Sequence, residues 1–376
     1  MITHTSTNPL ENSTHGYYTV GQDVFLNKVE AVYRATQTHQ DVTWHFHDSV
    51  YSKIDWTIRP AGTLNEMYRD RAQQLRDEYD YIVVHFSGGM DSWTVLHSFL
   101  ANGIHVDEVY TRWPKAERKY KTANTQILDE SNIASEFEYA VLPVLEQIQK
   151  DYPTVNIVID DYSECFEQEL TEGALLESAA NQSMGTFFRF NRKSDAELVA
   201  ERAGKRIAVV YGYDRVRYQV NNGKFYAHFT DFIGGIDSDP ARKVELFYWT
   251  DRAPMIPVLQ AHCIKQLLDE LGEVRFRQLT FREVALQTCY SESNFNPDTF
   301  QVGKILGTLV WKSDSWICQY NPRYYKSWRW VTDQYFNSID NRFLDKKTIV
   351  VGLERNYSQL YFIGDTSAVT EFNSFG

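Results

Sequence analysis

The sequence predicts an α/β protein: a doubly wound, mainly parallel sheet, preceded by an α+β elaboration and followed by an aromatic-rich region. Three observations carry this. Strand-like runs recur at YIVVHF (81–86), VDEVYTRW (106–113), VNIVID (155–160) and RIAVVYG (206–212). Segments of helical character separate them, and strand–helix–strand units of this length imply right-handed crossovers and a parallel sheet with helices on both faces. The glycine-rich stretch SGGMDS lies directly between the first run and the first of those helices.

In order, residues 1–15 are a polar tail without the apolar core of a secretory leader. Residues 17–27, YYTVGQDVFLN, alternate around a Gly-Gln-Asp turn and predict a hairpin. A helix-like segment covers 28–38, and DVTWHFHD (41–48) alternates as a strand, with His45 and His47 on one face. Residues 63–79 are rich in helix formers, with Thr63 as N-cap. These elements form an elaboration over 16–80. The parallel-sheet domain is expected over 81–250. Its first run, YIVVHF, is continuous and apolar, as suits a strand buried on both faces. The helix over 91–102 places Val95, Leu96, Phe99 and Leu100 at helical spacing, and Gly103 stops it. Further helical regions cover 119–150 and precede 206. Beyond Thr250 the alternation weakens. A helix is predicted over 257–272, ending at Gly272, within a substrate-related helical and aromatic-rich region, 251–376.

Composition narrows the function. A hydrophobic share of 43% supports a real core, and a net charge of −12 argues against an extensive nucleic-acid-binding face. Four cysteines (Cys165, Cys263, Cys289, Cys318) form no C-x-x-C pair, which argues against a clustered metal site or a disulfide scaffold and places the chain in a reducing cytoplasm. No apolar stretch reaches the ~18 residues of a membrane-spanning helix.

Ligands of open parallel sheets bind beyond the carboxyl ends of the strands, where Ser87 to Ser92 is expected. Gly88 and Gly89 allow a sharp turn and close approach of an anion. Successive N–H groups there form an anion-binding nest, and the helix beginning near Asp91 aims its positive end at the same place. Ser87 and Ser92 supply hydroxyl donors. Asp91 would repel phosphate directly, so its expected role is to hold a Mg²⁺ ion that bridges to phosphates. The blander alternative is a glycine turn capping a helix through Asp91. Gly234 to Ser238 nearly repeats the motif, but Ile233 replaces the first serine and no buried strand precedes it, so it reads as a loop.

The stretch S-G-G-x-D-S resembles the PP-loop of the N-type ATP pyrophosphatases, a superfamily that includes asparagine synthetase, 7-cyanoguanine synthase and, more distantly, phosphoadenylylsulfate reductase. The resemblance covers residues 80–215. It implies the adenine nucleotide alpha hydrolase-like fold, ATP and Mg²⁺ as cofactors, and cleavage of ATP to AMP and pyrophosphate to activate an acceptor oxygen, with C–N bond formation as the expected outcome. It further implies that Phe86, Ser87, Gly88, Gly89, Asp91 and Ser92 contact the nucleotide. Tyr110 and Arg112 end the strand where adenine usually meets the backbone. Gly212 and Asp214 partly match a G-x-D-E segment whose acid holds Mg-pyrophosphate, although Arg215 stands where a second acid would continue. Asp91 and Asp214 are then the metal candidates, and Ser87, Asp91 and Arg215 the catalytic ones. Arg215 and Arg217 would clamp phosphate or carboxylate, or else form surface ion pairs.

Weaker candidates are Lys243, Lys265 and the basic run 115–121 for phosphate, and the cation–aromatic stretch 321–330 for a nucleoside acceptor. The paired cysteines of thiolases, the four-cysteine cluster of 7-cyanoguanine synthase and the reductases' C-terminal cysteine motif are not found. Ile2 follows Met1 where a glutaminase would expose cysteine, so ammonia or an amine would come free or from a separate donor protein. The layout also resembles PP-loop proteins of large tailed bacteriophages, which implies host cytoplasm. The alternative is a reductase-like or non-catalytic adenine-nucleotide-binding protein.

Overall fold

The structure is a computed structural model, and it describes residues 16–26, 31, 34–35, 37–112, 137, 141–161, 192–213, 215–231, 242–279, 284, 287–289 and 356–373. Within the described residues the chain is α/β, built on a five-stranded sheet in which every pairing is parallel.

That sheet comprises β4 (Tyr81–His85), β5 (Glu108–Arg112), β6 (Asn156–Asp160), β7 (Ile207–Tyr211) and β10 (Arg242–Leu246), in the order β10-β7-β4-β5-β6. The four expected strands are all present. Ile82, Val83 and Val84 of β4 and Ala208, Val209 and Val210 of β7 have no exposure, because neighbours flank both strands in register. At the edge, β6 is largely open. The fifth strand was not foreseen. Arg242 and Glu245 break its apolar pattern, yet both are buried, since Arg242 pairs with Glu197 and Glu245 with Arg71.

Three helices flank the sheet's first strands. α2 (Leu64–Glu78) starts at Thr63, whose side chain accepts the Glu66 N–H while Glu66 accepts the Thr63 N–H. α3 (Met90–Leu100) joins β4 to β5 and stops before Gly103, whose φ of +67° ends it as expected. α4 (Leu142–Asp151) joins β5 to β6. On the way to β7, α5 (Asp195–Arg202) is capped by Ser194, which also donates to Glu108 at 2.6 Å. That carboxylate further receives Tyr81 and Asn156, so one acid ties β4, β5, β6 and the start of α5.

The N-terminal part forms a sheet β2-β1-β3, from the expected hairpin β1 (Tyr17–Val20) and β2 (Asp23–Phe25) with β3 (Thr43–His45). β3 is shorter than expected. His45 Nδ1 and Asp48 Oδ2 lie 2.7 Å apart, and His47 takes a left-handed φ of +48° before α1 (Asp48–Tyr51), so the two histidines do not share a strand face. Within 28–38 only residues 31, 34–35 and 37–38 are described.

A second unforeseen unit is the hairpin of β8 (Arg217–Asn221) and β9 (Lys224–His228), turning at Asn222 and Gly223 with φ of +50° and +70°. β11 (Tyr361–Asp365) and β12 (Glu371–Asn373) complete an antiparallel sheet, β11-β9-β8-β12. Phe46, Tyr51, Trp56, Phe229, Trp249 and Tyr361 form one aromatic cluster joining this sheet to the N-terminal part. The helix expected to end at Gly272 breaks there: α6 (Met255–Phe276) is two helices joined across a kink at Gly272, whose φ of +70° and ψ of +168° are not helical.

Candidate functional site

In the strand order, β4 has β5 and β6 on one side and β7 and β10 on the other. The chain progresses in one direction from β4 and then returns to fill the other side, and ligands of parallel sheets bind at such a reversal. SGGMDS leaves the sheet at this point.

The chain stays tied to β5 through Phe86, whose N–H reaches Tyr110 O at 3.0 Å and whose carbonyl accepts the Thr111 hydroxyl at 2.8 Å. It then turns. Gly88 has φ +79°, a region open to glycine at no steric cost, and Gly89 is the N-cap of α3 in extended geometry. The Ser92 hydroxyl sits inside the turn. It accepts the Ser87 N–H at 3.2 Å, lies 3.2 Å from Ser87 Oγ and donates to Gly89 O at 3.0 Å. Ser92 is buried, so it shapes the loop from within, whereas Ser87 is exposed. The Gly89 N–H points to Ser87 Oγ. Helix geometry leaves the N–H groups of Met90, Asp91 and Ser92 without intrahelical acceptors, which gives the turn its capacity for an anion.

Two segments from elsewhere converge on the start of α3: Gly212 and Arg215 after β7, and Tyr248 after β10. Gly212, directly after β7, packs so closely that a Cβ there would lie 2.6 Å from Asp91 O and 2.9 Å from Ser92 Cα. The Tyr248 hydroxyl, from the turn after β10, donates to Asp91 O at 2.8 Å. Burial, and secondarily Asp91, raise the phenol well above its ordinary pKa, so it remains a donor. Arg215 places a guanidinium nitrogen 3.8 Å from Asp91 Oδ1 and is only 3% exposed, so it is not a surface ion pair; Arg217 is also buried. The Val216 N–H is received by Gln260 of α6 at 3.2 Å, and Gln260 donates to Tyr68 at 2.9 Å.

Beside the loop, His85 lies between Tyr110 and Tyr211, with ring centroids 4.8 and 4.3 Å away, and its Nε2 is 3.2 Å from the Tyr211 hydroxyl. Burial, then Arg112 and Arg242, hold its imidazole well below the ordinary pKa, so it is neutral at pH 7. Burial pushes Tyr211 up to about 12. Arg112 lies over the Tyr110 ring at 5.2 Å, and the Tyr110 hydroxyl donates to Asp160 at 2.8 Å.

The structure thus brings together Phe86, Ser87, Gly88, Gly89, Asp91, Ser92, Gly212 and Arg215, with Tyr110 and Arg112 on the adjoining strand. Asp214 lies outside the described residues, as do 115–121, 234–238, 321–330, Cys165 and Cys318. Lys243 is the second residue of β10, toward the opposite edge of the sheet, and Lys265 pairs with Asp269 at 2.6 Å. Burial raises the thiol pKa of Cys263, and that of Cys289 to about 12, so neither is a thiolate at pH 7. Sequence reasoning missed Tyr248 and Gln260, for which no local pattern signals a link to residues 91 and 216.

A Mg²⁺ ion on a nucleotide takes one or two carboxylates, its remaining positions being filled by phosphate and water. Asp91 satisfies that minimum, and no cluster of three or more metal-ligating side chains occurs among the described residues. The N–H groups at the start of α3 and the left-handed Gly88 suit the phosphates.

Comparison of the chain with family models, curated proteins and solved structures finds no match. The likeness to PP-loop enzymes therefore rests on the loop and its place in the sheet.

Proposed function

We propose that the chain is a PP-loop ATP pyrophosphatase that adenylates an acceptor. The acceptor oxygen attacks the α-phosphorus of ATP, the α–β bridging oxygen leaves with pyrophosphate, and an amine or ammonia then displaces AMP to form a C–N bond. One observation carries the reading: Ser87 to Ser92 folds as a glycine turn at the carboxyl end of the central parallel strand, with a helix start aimed across it. On this reading the sheet is doubly wound, of the adenine nucleotide alpha hydrolase kind. The Gly88–Asp91 backbone holds phosphate, Asp91 and Asp214 hold Mg²⁺, and Arg215 meets the charge of departing pyrophosphate. The N–H groups and cations are fixed before reaction, and loss of one such donor typically costs ~10²–10³ in rate. The acceptor is a small molecule or nucleoside, the amine comes free or from a separate donor protein, and the site of action is the cytoplasm, that of the host if a phage encodes the chain.

The test is incubation with α-labelled ATP and candidate acceptors, followed by separation of AMP from ADP. AMP with stoichiometric pyrophosphate supports the reading. ADP alone, or no acceptor-dependent turnover, sinks it. A second reading, nucleotide binding without pyrophosphate release as in the reductase-like branch, is favoured by one contact: Arg215 already meets part of the Asp91 charge and lessens its need for a metal. Nucleotide affinity unchanged by removal of Mg²⁺ would select it.

A further inference from the structure

The first turn of α3 has no side-chain cap on its own N–H groups; the local bonds of Ser87 and Ser92 shape the loop before it. The N-cap, Gly89, offers no side-chain acceptor to the helix N–H groups, a loss of about a few tenths of a kcal/mol against a serine or aspartate cap. Helix ends without such support open readily. Yet this turn carries Asp91, whose placement the proposed chemistry requires to within a fraction of an ångström.

We propose that Tyr248 is the positioning residue of this turn, holding it through the Asp91 carbonyl. The hydroxyl donates at 2.8 Å to an oxygen that helix geometry also offers to the Val95 N–H. The phenol is itself fixed. Tyr248 is fully buried, edge-on to Phe247 at 5.2 Å and to Tyr68 at 5.4 Å. Tyr68 in turn donates to Cys289 O at 2.8 Å and receives Gln260. Gly212 closes the other approach to the same carbonyl, so the turn is held both by packing and by a directed hydrogen bond. Tyr248 touches no reacting atom in this account. It acts through Asp91, and the inference rests on the nucleotide reading of the loop.

The variant Tyr248→Phe removes one oxygen and leaves the ring. Two arms are measured on the full chain. In the ligand-free protein, amide exchange at Trp93, Thr94 and Val95, whose N–H groups bond into the first turn, should quicken about five- to tenfold, the equivalent of one net hydrogen bond, while exchange in β4 and α2 stays within twofold of wild type. In the AMP-forming assay, kcat should fall by a similar factor with KM for ATP within twofold. Unchanged exchange over 93–95, or an equal rise in every segment, overturns the proposal, the latter because it marks a merely structural tyrosine. An unchanged kcat in an active enzyme also overturns it. If the wild type forms no AMP, the functional reading fails by itself, and the exchange arm still decides whether Tyr248 holds the turn.

Discussion

Replacing Gly212 by alanine puts a methyl group where the structure has backbone. The new Cβ would meet Asp91 O at 2.6 Å, Asp91 C at 2.8 Å and Ser92 Cα at 2.9 Å, all main-chain atoms that no rotamer change can remove. Restoring ordinary contact at 3.4 Å requires the end of β7 and the start of α3 to part by about 0.8 Å. Forced repacking of that kind costs typically 1–3 kcal/mol. We expect Gly212→Ala to lose stability in this range, read from the urea midpoint at constant slope. Nucleotide binding should fall at least tenfold, because the displaced backbone carries Asp91. Gly103→Ala is the control. Its φ of +67° imposes about 1–2 kcal/mol of strain, but no atom lies within 4 Å of the added methyl. It should weaken the fold and spare nucleotide affinity. If Gly212→Ala binds nucleotide as the wild type does, the close approach of the two loops is not what shapes the site.

Ser194→Ala removes both the cap of α5 and a donor to Glu108, and should cost about 1–2 kcal/mol in urea; a loss below 0.5 would show that Glu108 finds water instead. Glu245→Ala strips the partner from Arg71, which is 1% exposed, and should cost about 3–5 kcal/mol, partly recovered by adding Arg71→Met; no recovery in the double variant would mean that the loss lies in packing. Burial raises the Glu108 carboxyl above its ordinary range, against the pull of its donors Ser194, Asn156 and Tyr81. A folded-state pKa above the unfolded one gives stability that is full below the unfolded value and is lost as pH rises through the folded value. Glu108→Gln should therefore gain on the wild type as pH climbs from the carboxyl range toward neutrality, and parallel stability–pH profiles would refute this.

The parallel core was legible because its signals are local. YIVVHF and RIAVVYG are apolar wherever they are placed, and Thr63 with Glu66 announces a helix start within four residues. The loop was legible for the same reason. β10 was not, because Arg242 and Glu245 become core residues only once Glu197 and Arg71 arrive from distant helices. The β8–β9 hairpin is a different case: Asn222-Gly223 is a strong turn signal between alternating residues, and its positive φ values show why those two residues stand there. Tyr248 and Gln260 were hidden, since their function lies in which backbone atoms they reach.

The antiparallel sheet has a consequence for the order of events on the ribosome. β8 and β9 pair across a two-residue turn, but β11 begins 133 residues after β9 ends, at Tyr361 against His228, and β12 follows it. By the time Leu246 has been synthesised all five parallel strands exist, while both outer edges of the β8–β9 hairpin still lack partners. Open strand edges are templates for pairing with other chains. During synthesis the hairpin thus passes through a long interval with two unsatisfied edges, and β11 and β12 serve as late-arriving covers for it as much as they serve as strands.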